Sequence, residues 1–445
     1  MPVASLDLLT DLVASAKKVG ADAADAVIFK SAHLGLRQRL GKPEMLERSE
    51  SQDLGLRVLV GKRQASVSST DPSPKALSEL VERAVAMARL APEDPYCGLA
   101  DPDAIARNVP DLDLNDPAEP SPEALESRAK ETEDAARAVP GITNSEGAEA
   151  TWSRSEIAIA ASNGFTGAYA RSGHGVSVSV VAGTGAGMET DYDYSSSVYG
   201  GDLEDAAVVG RRAGERTVKR LNPKKAETAR VPVVFDPRVA ASLVSHIAGA
   251  INGPSIARKA SFLKDRMGQQ ILAHGLSVID DPLKPRGLRS RPFDGEGIAA
   301  RRMALVEDGV LKTWLLDLAS ARQLGLVTTG HAARGTSGPP SPSASNLYLA
   351  AGTKSRDELM ADIKSGFYVT SLMGHGINMV TGDYSRGASG FWIENGKLTY
   401  PVSEVTVAGN LKDMFLAMTP ASDLEFRMAV NAPTIRVEGM TIAGR

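Results

Sequence analysis

Gly374-His375-Gly376-Ile377-Asn378-Met379-Val380-Thr381-Gly382-Asp383-Tyr384-Ser385-Arg386-Gly387-Ala388-Ser389-Gly390-Phe391-Trp392-Ile393-Glu394-Asn395-Gly396 packs glycine, charge, hydroxyl and aromatic side chains more closely than any other stretch of the chain. Its glycines free the backbone for tight or left-handed turns and let another chain or ligand approach the main chain. Two readings follow: a binding surface, or a set of tight turns between core strands. Composition leaves both open.

Outward from this stretch, the C-terminal half reads as short strands and glycine turns. Val231-Pro232-Val233-Val234-Phe235 is a strand, residues 237–250 carry apolar residues at helical spacing, and another helix is expected near 355–365. Residues 335–345, rich in Gly, Ser and Pro, read as a flexible loop that either gates a cleft or connects strands.

The N-terminal half reads differently. Leu8, Leu9, Leu12, Val13 and Ala16 recur at helical spacing behind Ser5, and Gly20 ends the pattern. An antiparallel meander is expected from Ala26 to about Thr70, then a helix near 75–90, so that both helices cover one sheet face. Residues 92–120, rich in Pro and Asp, read as a surface loop. Ser121-Pro122-Glu123 opens a helix reaching 138, residues 142–200 alternate as a second group of strands, and a helix over 202–220 closes it. The basic run from Arg211 to Arg220 reads as a solvated helix face. The main boundary falls after Asn222-Pro223-Lys224-Lys225, giving domains 1–225 and 226–445. The fold class is α+β, an N-terminal α/β region of antiparallel strands with covering helices followed by a β-rich C-terminal domain.

The composition excludes several functions. With 445 residues and a net charge of −4 there is no global basic field to hold a phosphate backbone, so nucleic acid is not an expected partner. Cys97 is the single cysteine, which rules out an internal disulfide or a Cys/His zinc cluster and fits a reducing cytoplasm. No basic-then-apolar leader and no long apolar run is present, so neither export nor a membrane span is expected.

Catalytic motifs are sparse. The six histidines (33, 174, 246, 274, 331 and 375) include no HExxH pair, and Ala250 stands four residues after His246 where a second ligand would be needed. His246 therefore reads as a packed histidine. His375, Asp383 and Ser385 supply the residue types of a nucleophilic triad, but no GxSxG elbow surrounds Ser385. Gly374-His375-Gly376 and Gly330-His331 lack the following helix of a phosphate cradle. Asp383 and Arg386 pair with each other or contact a peptide main chain, and Phe391 and Trp392 are core or interface.

The chain resembles the TldD/PmbA family, in its PmbA or TldE branch. The resemblance spans nearly the whole length and is most specific in residues 382–396, in Tyr400-Pro401-Val402-Ser403-Glu404 continuing to Met414, in Arg258-Lys259-Ala260-Ser261-Phe262-Leu263 and in Ser320-Ala321-Arg322-Gln323-Leu324-Gly325-Leu326. It implies a cytoplasmic two-subunit peptidase. In that family pattern the TldD-type subunit holds a metal, expected to be zinc, through an HExxxH helix and a cysteine, while the PmbA-type subunit completes the chamber. The matching helix here keeps His246 but has Ile247 for the glutamate and Ile251 for the second histidine, and no cysteine follows Asp423. The resemblance thus implies no metal and no catalytic residue in this chain.

The expected function is a metal-free subunit that pairs with a metal-bearing TldD-type homologue and holds unfolded peptides, by strand addition to an exposed sheet edge. His375, Asn378, Asp383, Tyr384, Ser385, Arg386 and Gly387 are the expected substrate-binding residues. The alternatives are a homodimeric peptide-binding or scaffold protein without peptidase role, and a self-sufficient hydrolase using His375 or Ser385.

Overall fold

The computed structural model describes residues 2–444. Its N-terminal half contains α1 (Pro2–Lys18), β1 (Ala23–Arg39), β2 (Lys42–Val60), β3 (Arg63–Ser69) and α2 (Pro74–Leu90). After the loop come α3 (Pro122–Arg137), β4 (Ile142–Ala161), β5 (Thr166–Ala182), β6 (Glu189–Ser197) and α4 (Ala206–Lys219). The same helix, three-strand, helix unit therefore occurs twice. All six strands form one antiparallel sheet in the order β3-β2-β1-β4-β5-β6, so β1 and β4 join the two units at its centre.

Strand periodicity sends the two faces to different partners. Even-numbered residues of β1 and β4 meet the helices: Ala24, Ala26, Ile28, Ala158 and Ala160 pack with α1 and α2, and Leu34, Leu36, Ala148, Ala150 and Trp152 pack with α3 and α4. Odd-numbered residues face the C-terminal half, where Val27 and Ile159 pack with Phe165 and Phe293. The strands run longer than the sequence suggests. Residues 42–51 of β2 are exposed throughout, so polar side chains occupy both faces and erase the alternation that marks a strand.

The outer edges of β2 and β5 are unlike. β3 pairs with β2 only from Leu54 to Val60, which leaves Lys42–Asp53 with an unpaired edge. The corresponding part of β5 is met by the preceding loop, where Ser172 donates its backbone N–H to the Leu114 carbonyl at 2.8 Å.

The C-terminal half contains β7 (Ala229–Phe235), α5 (Pro237–Ala250), α6 (Gly253–Ala257), β8 (Val278–Asp280), β9 (Met303–Glu307), β10 (Val310–Leu311), α7 (Leu318–Leu324), β11 (Ala332–Ala333), β12 (Ser341–Pro342) and β13 (Leu347–Leu349). It ends with α8 (Arg356–Met360), β14 (Ser365–Met373), β15 (Asp383–Glu394), β16 (Lys397–Asn410), α9 (Leu411–Leu416), β17 (Met418–Pro420), β18 (Val430–Asn431) and β19 (Ile435–Ala443). This is a mixed α+β chain with a β-rich C-terminal region. Its main sheet runs β16-β15-β14-β7-β19-β17, and β19 also pairs with β16, closing five strands into a small barrel. α8 is shorter than expected because the chain turns at Ser365 to lay Phe367 beside Val233 of β7 in parallel register.

Two networks of charge join the halves. Asp25 of β1, 3% exposed, accepts from Arg57 Nε at 3.0 Å and pairs with Arg334 of the C-terminal half. The loop expected to be flexible packs against the N-terminal half. Residues 332–342 form the β11–β12 hairpin, Arg334 is buried against Asp25, and Gly55 accommodates the Thr336 main chain so closely that a Cβ there would collide with it.

The second network corrects the basic run on α4. Arg212, Arg216 and Arg220 lie one turn apart and are only partly exposed: Asp193, 0% exposed, pairs with Arg212, Arg216 and Arg427, while Arg220 pairs with Glu189 at 3.2 Å. Only Arg211, Glu215 and Lys219 of that stretch are exposed. A helical run of arginines cannot reveal which of its faces meets buried carboxylates on another strand.

Candidate functional site

The expected binding residues divide by the period of two along β15. Tyr384, Arg386 and Ala388 alternate with Asp383, Ser385 and Gly387, so the two sets point to opposite faces. Tyr384 is 1% exposed while Asp383 and Ser385 are exposed. Asp383 and Arg386 therefore do not pair. Asp383 instead accepts from the Thr381 hydroxyl at 2.5 Å and from Asn410 Nδ2 at 3.1 Å, and these bonds hold its carboxyl below the usual range.

The preceding loop is built by its own main chain. Asn378 Oδ1 accepts from the N–H groups of Val380 and Thr381 at 2.9 and 3.3 Å, and Gly382 takes a φ of +87° that favours glycine. Ser385 donates its N–H to the Gly376 carbonyl at 2.7 Å. A Cβ on Gly376 would fall inside contact with the Ser385 carbonyl. Gly376→Ala is accordingly expected to break this bridge and speed amide exchange at Ser385, with a local cost of about 1–3 kcal/mol; unchanged exchange would show that the loop does not depend on it. His375 and Gly374 remain exposed at the loop's start, and Gly387 has only ordinary contacts at Met373. Among the described residues no hydrogen bond links His375, Asp383 and Ser385.

β15 is flanked by β16 along its length and by β14 from Gly387 to Glu394, and on the latter side the loop takes up the Asp383 carbonyl and the Ser385 N–H, so its ladder groups are used. Strand addition has no place on this strand. What the segment offers is its loop, where Met373 and Val380 are exposed, and the inward face carrying Tyr384 and Arg386.

That face meets α5. Asp236 caps the helix by accepting from the Arg238 N–H at 3.1 Å, Pro237 starts it, and Ala240, Ala241, Leu243, Val244, Ile247 and Ala250 form its buried stripe. His246 borders the stripe, and its ring lies 6.2 Å from that of Tyr384, edge to face. The loop crosses nearby, with Met379 packing beside Gly249. Burial, and then the Arg386 charge, push His246 down to about 4, so its ring is neutral at physiological pH. Burial pushes the Tyr384 hydroxyl up to about 12.

The donors at this place do not fit a metal ion. Ile247 and Ile251 are both 0% exposed, and the charged group beside His246 is a guanidinium, which repels a cation. Among the described residues no three His, Cys, Asp or Glu side chains gather as a metal site. Sequence reading set His246 apart as a core residue and grouped Tyr384 with its chain neighbours. The alternation of residues 383–388 was the signal that would have separated the faces, but the strand register that brings His246 to them was not visible.

His174 and His331 are buried beside acids, His174 at 3.2 Å from Asp116. His331 lies 3.3 Å from Asp280, which accepts from Ser345 N–H and hydroxyl at 2.7 Å each. The serine thus donates to the acid and not to the histidine, and all three are at most 2% exposed, so this is a structural tie.

Three family models described as PmbA/TldA metallopeptidase match the chain, as domain 1 over residues 24–88, the central domain over 115–221 and the C-terminal domain over 228–444. Metalloprotease PmbA of Escherichia coli O157:H7 is 39% identical over 426 residues, covering 95% of this chain and 93% of its own. The Metalloprotease PmbA homolog of Haemophilus influenzae is 37% identical over 431 residues, 96% and 94% of the two chains. A Metalloprotease TldD homolog of that same strain is 24% identical over 278 residues, 58% of each. A solved structure from Bacteroides thetaiotaomicron, described as a candidate modulator of DNA gyrase, matches with a TM-score of 0.90 at 29% identity, over 99% of this chain and 98% of its own. Among the described residues no helix is long and apolar enough to cross a membrane.

Proposed function

The chain belongs to the PmbA/TldD metallopeptidase family, and from that premise we propose that it is the metal-free, TldE-like subunit of a cytoplasmic two-subunit peptidase. It holds unfolded peptides for a TldD-type homologue that carries the metal, expected to be zinc. The observation that carries this reading is the surroundings of His246. A lone neutral histidine has an arginine beside it, and the two positions that would supply further ligands are buried isoleucines, where a peptidase centre needs several convergent donors. The presence of a PmbA homolog and a TldD homolog in one Haemophilus influenzae strain supports a division of labour between two chains.

Peptide contact falls to the loop at 374–381 and the face beneath it. The exposed Met373 and Val380 provide apolar area, and soft, flexible methionine suits varied side chains.

Purified chain, a TldD-type homologue and their mixture are to be compared for hydrolysis of an unfolded peptide and for bound metal. Activity is expected in the mixture, with metal in the homologue alone. Chelator-resistant hydrolysis by this chain alone overturns the proposal, and full activity of the homologue without this chain removes its role.

A further inference from the structure

The face of β15 that meets α5 holds a positive charge with nothing set against it. Arg386 forms no ion pair among the described residues, whereas Arg238, Arg427 and Arg436 in the same half each meet a carboxylate. Its Nε is buried without an acceptor. His246 Nε2 is likewise buried without a partner, and the Tyr384 hydroxyl, with only the donor Arg386 beside it, has no acceptor for its proton.

These three groups are neighbours. The His246 and Tyr384 rings are in edge contact, and the Arg386 charge acts on both side chains. Buried polar atoms are seldom left unmatched, and three on one patch indicate a missing partner common to all. The chemistry of that partner can be read from the donors. Arg386 Nε–H and the Tyr384 O–H both donate, and a neutral imidazole protonated at Nε2 donates a third bond. Three donors with one net positive charge match a group that has several lone pairs and one negative charge. A carboxylate has that form, and guanidinium is its preferred partner.

We propose that His246, Tyr384 and Arg386 form a carboxylate-binding site that takes the free C-terminus of a peptide. This rests on the peptide-holding reading above and specifies which part of the peptide is held. The C-terminal group enters between α5 and β15, and the residues before it run out beneath the loop toward Met373 and Val380. An extended peptide presents one such group whatever its sequence, so the site recognises a chain end without selecting side chains.

The test uses the full chain, alone and mixed with a TldD-type homologue, and a short unstructured fluorescent peptide in three forms: free acid, C-terminal amide, and amide with one internal glutamate. Anisotropy is expected to show the free acid bound roughly 10- to 100-fold more tightly than the amide, the range for charge-assisted hydrogen bonds. Arg386→Gln is expected to abolish that preference and Tyr384→Phe to reduce it, with thermal midpoints equal to or above wild type, since neither change removes an internal ion pair. Equal binding of acid and amide overturns the carboxylate site but leaves peptide holding intact. So does a preference that survives in Arg386→Gln. An internal glutamate that restores full affinity to the amide overturns the chain-end assignment. Failure of every peptide to bind in either preparation overturns the peptide-holding reading and this site with it.

Discussion

Asp25→Ala is expected to cost about 3–5 kcal/mol of stability, because it strands two buried guanidiniums. Asp25 and Arg57 are each 3% exposed, and Arg334 reaches Asp25 from the other half of the chain. Burial alone would push the Asp25 carboxyl up, but Arg334 and Arg57 outweigh it and hold the group below the usual carboxylate range. Removing the acid leaves two positive charges facing each other out of reach of water. Chemical denaturation of Asp25→Ala and of Asp25→Ala with Arg334→Met provides the check. The double variant is expected to recover part of the loss, since it also removes one stranded charge. A single variant within about 1 kcal/mol of wild type would mean that water reaches the network or that the halves stay joined without it.

Stability is also expected to fall as pH rises through the neutral range, and Glu296→Gln is expected to remove most of that fall. Glu296 is 9% exposed and accepts the Leu318 N–H at 2.8 Å. Burial, then the neighbouring Asp294, push its carboxyl up to about 8 from 4.5. Asp294 is likewise raised, chiefly by burial. An acid whose folded value is raised keeps its proton in the native state after the unfolded chain has lost it. Its stabilisation is complete below the unfolded value and is lost as pH climbs through the folded one. His246 acts oppositely. Its folded value is depressed from 6.5 to about 4, so its contribution is present above 6.5 and fades on acidification. The decline owed to Glu296 should therefore be seen cleanly between about 6.5 and about 8. Thermal midpoints across that window decide the matter, and a decline of the same size in Glu296→Gln would sink the assignment.

The long helices were legible because their apolar spacing and caps are local, as Ser121-Pro122 at the start of α3 shows. The short α6, α7 and α9 were not foreseen, because five to seven residues show too little of a helical period. Strand existence was legible and strand length was not, as β2 shows: half of it is exposed on both faces and carries no alternation. The site was half legible. Residues 374–396 stood out, and Tyr384 and Arg386 were among the expected residues, but His246 joins them only through the packing of α5 on β15. The roles of Arg212, Arg216 and Arg334 were illegible for the same reason. Each depends on a carboxylate far away in sequence, and only the assembled sheet shows which arginine faces water.

The doubled unit of the N-terminal half has a consequence for assembly. A single unit alone would expose β1 or β4 as a bare, apolar central edge, because each of these strands is covered by the other. Residues 91–121 tether the two units, so this edge is closed within one molecule at a high effective concentration and not by encounter between separate chains. The tether serves one unit a second time: it covers the outer edge of β5 at Ser172, while the equivalent edge at Lys42–Asp53 stays bare.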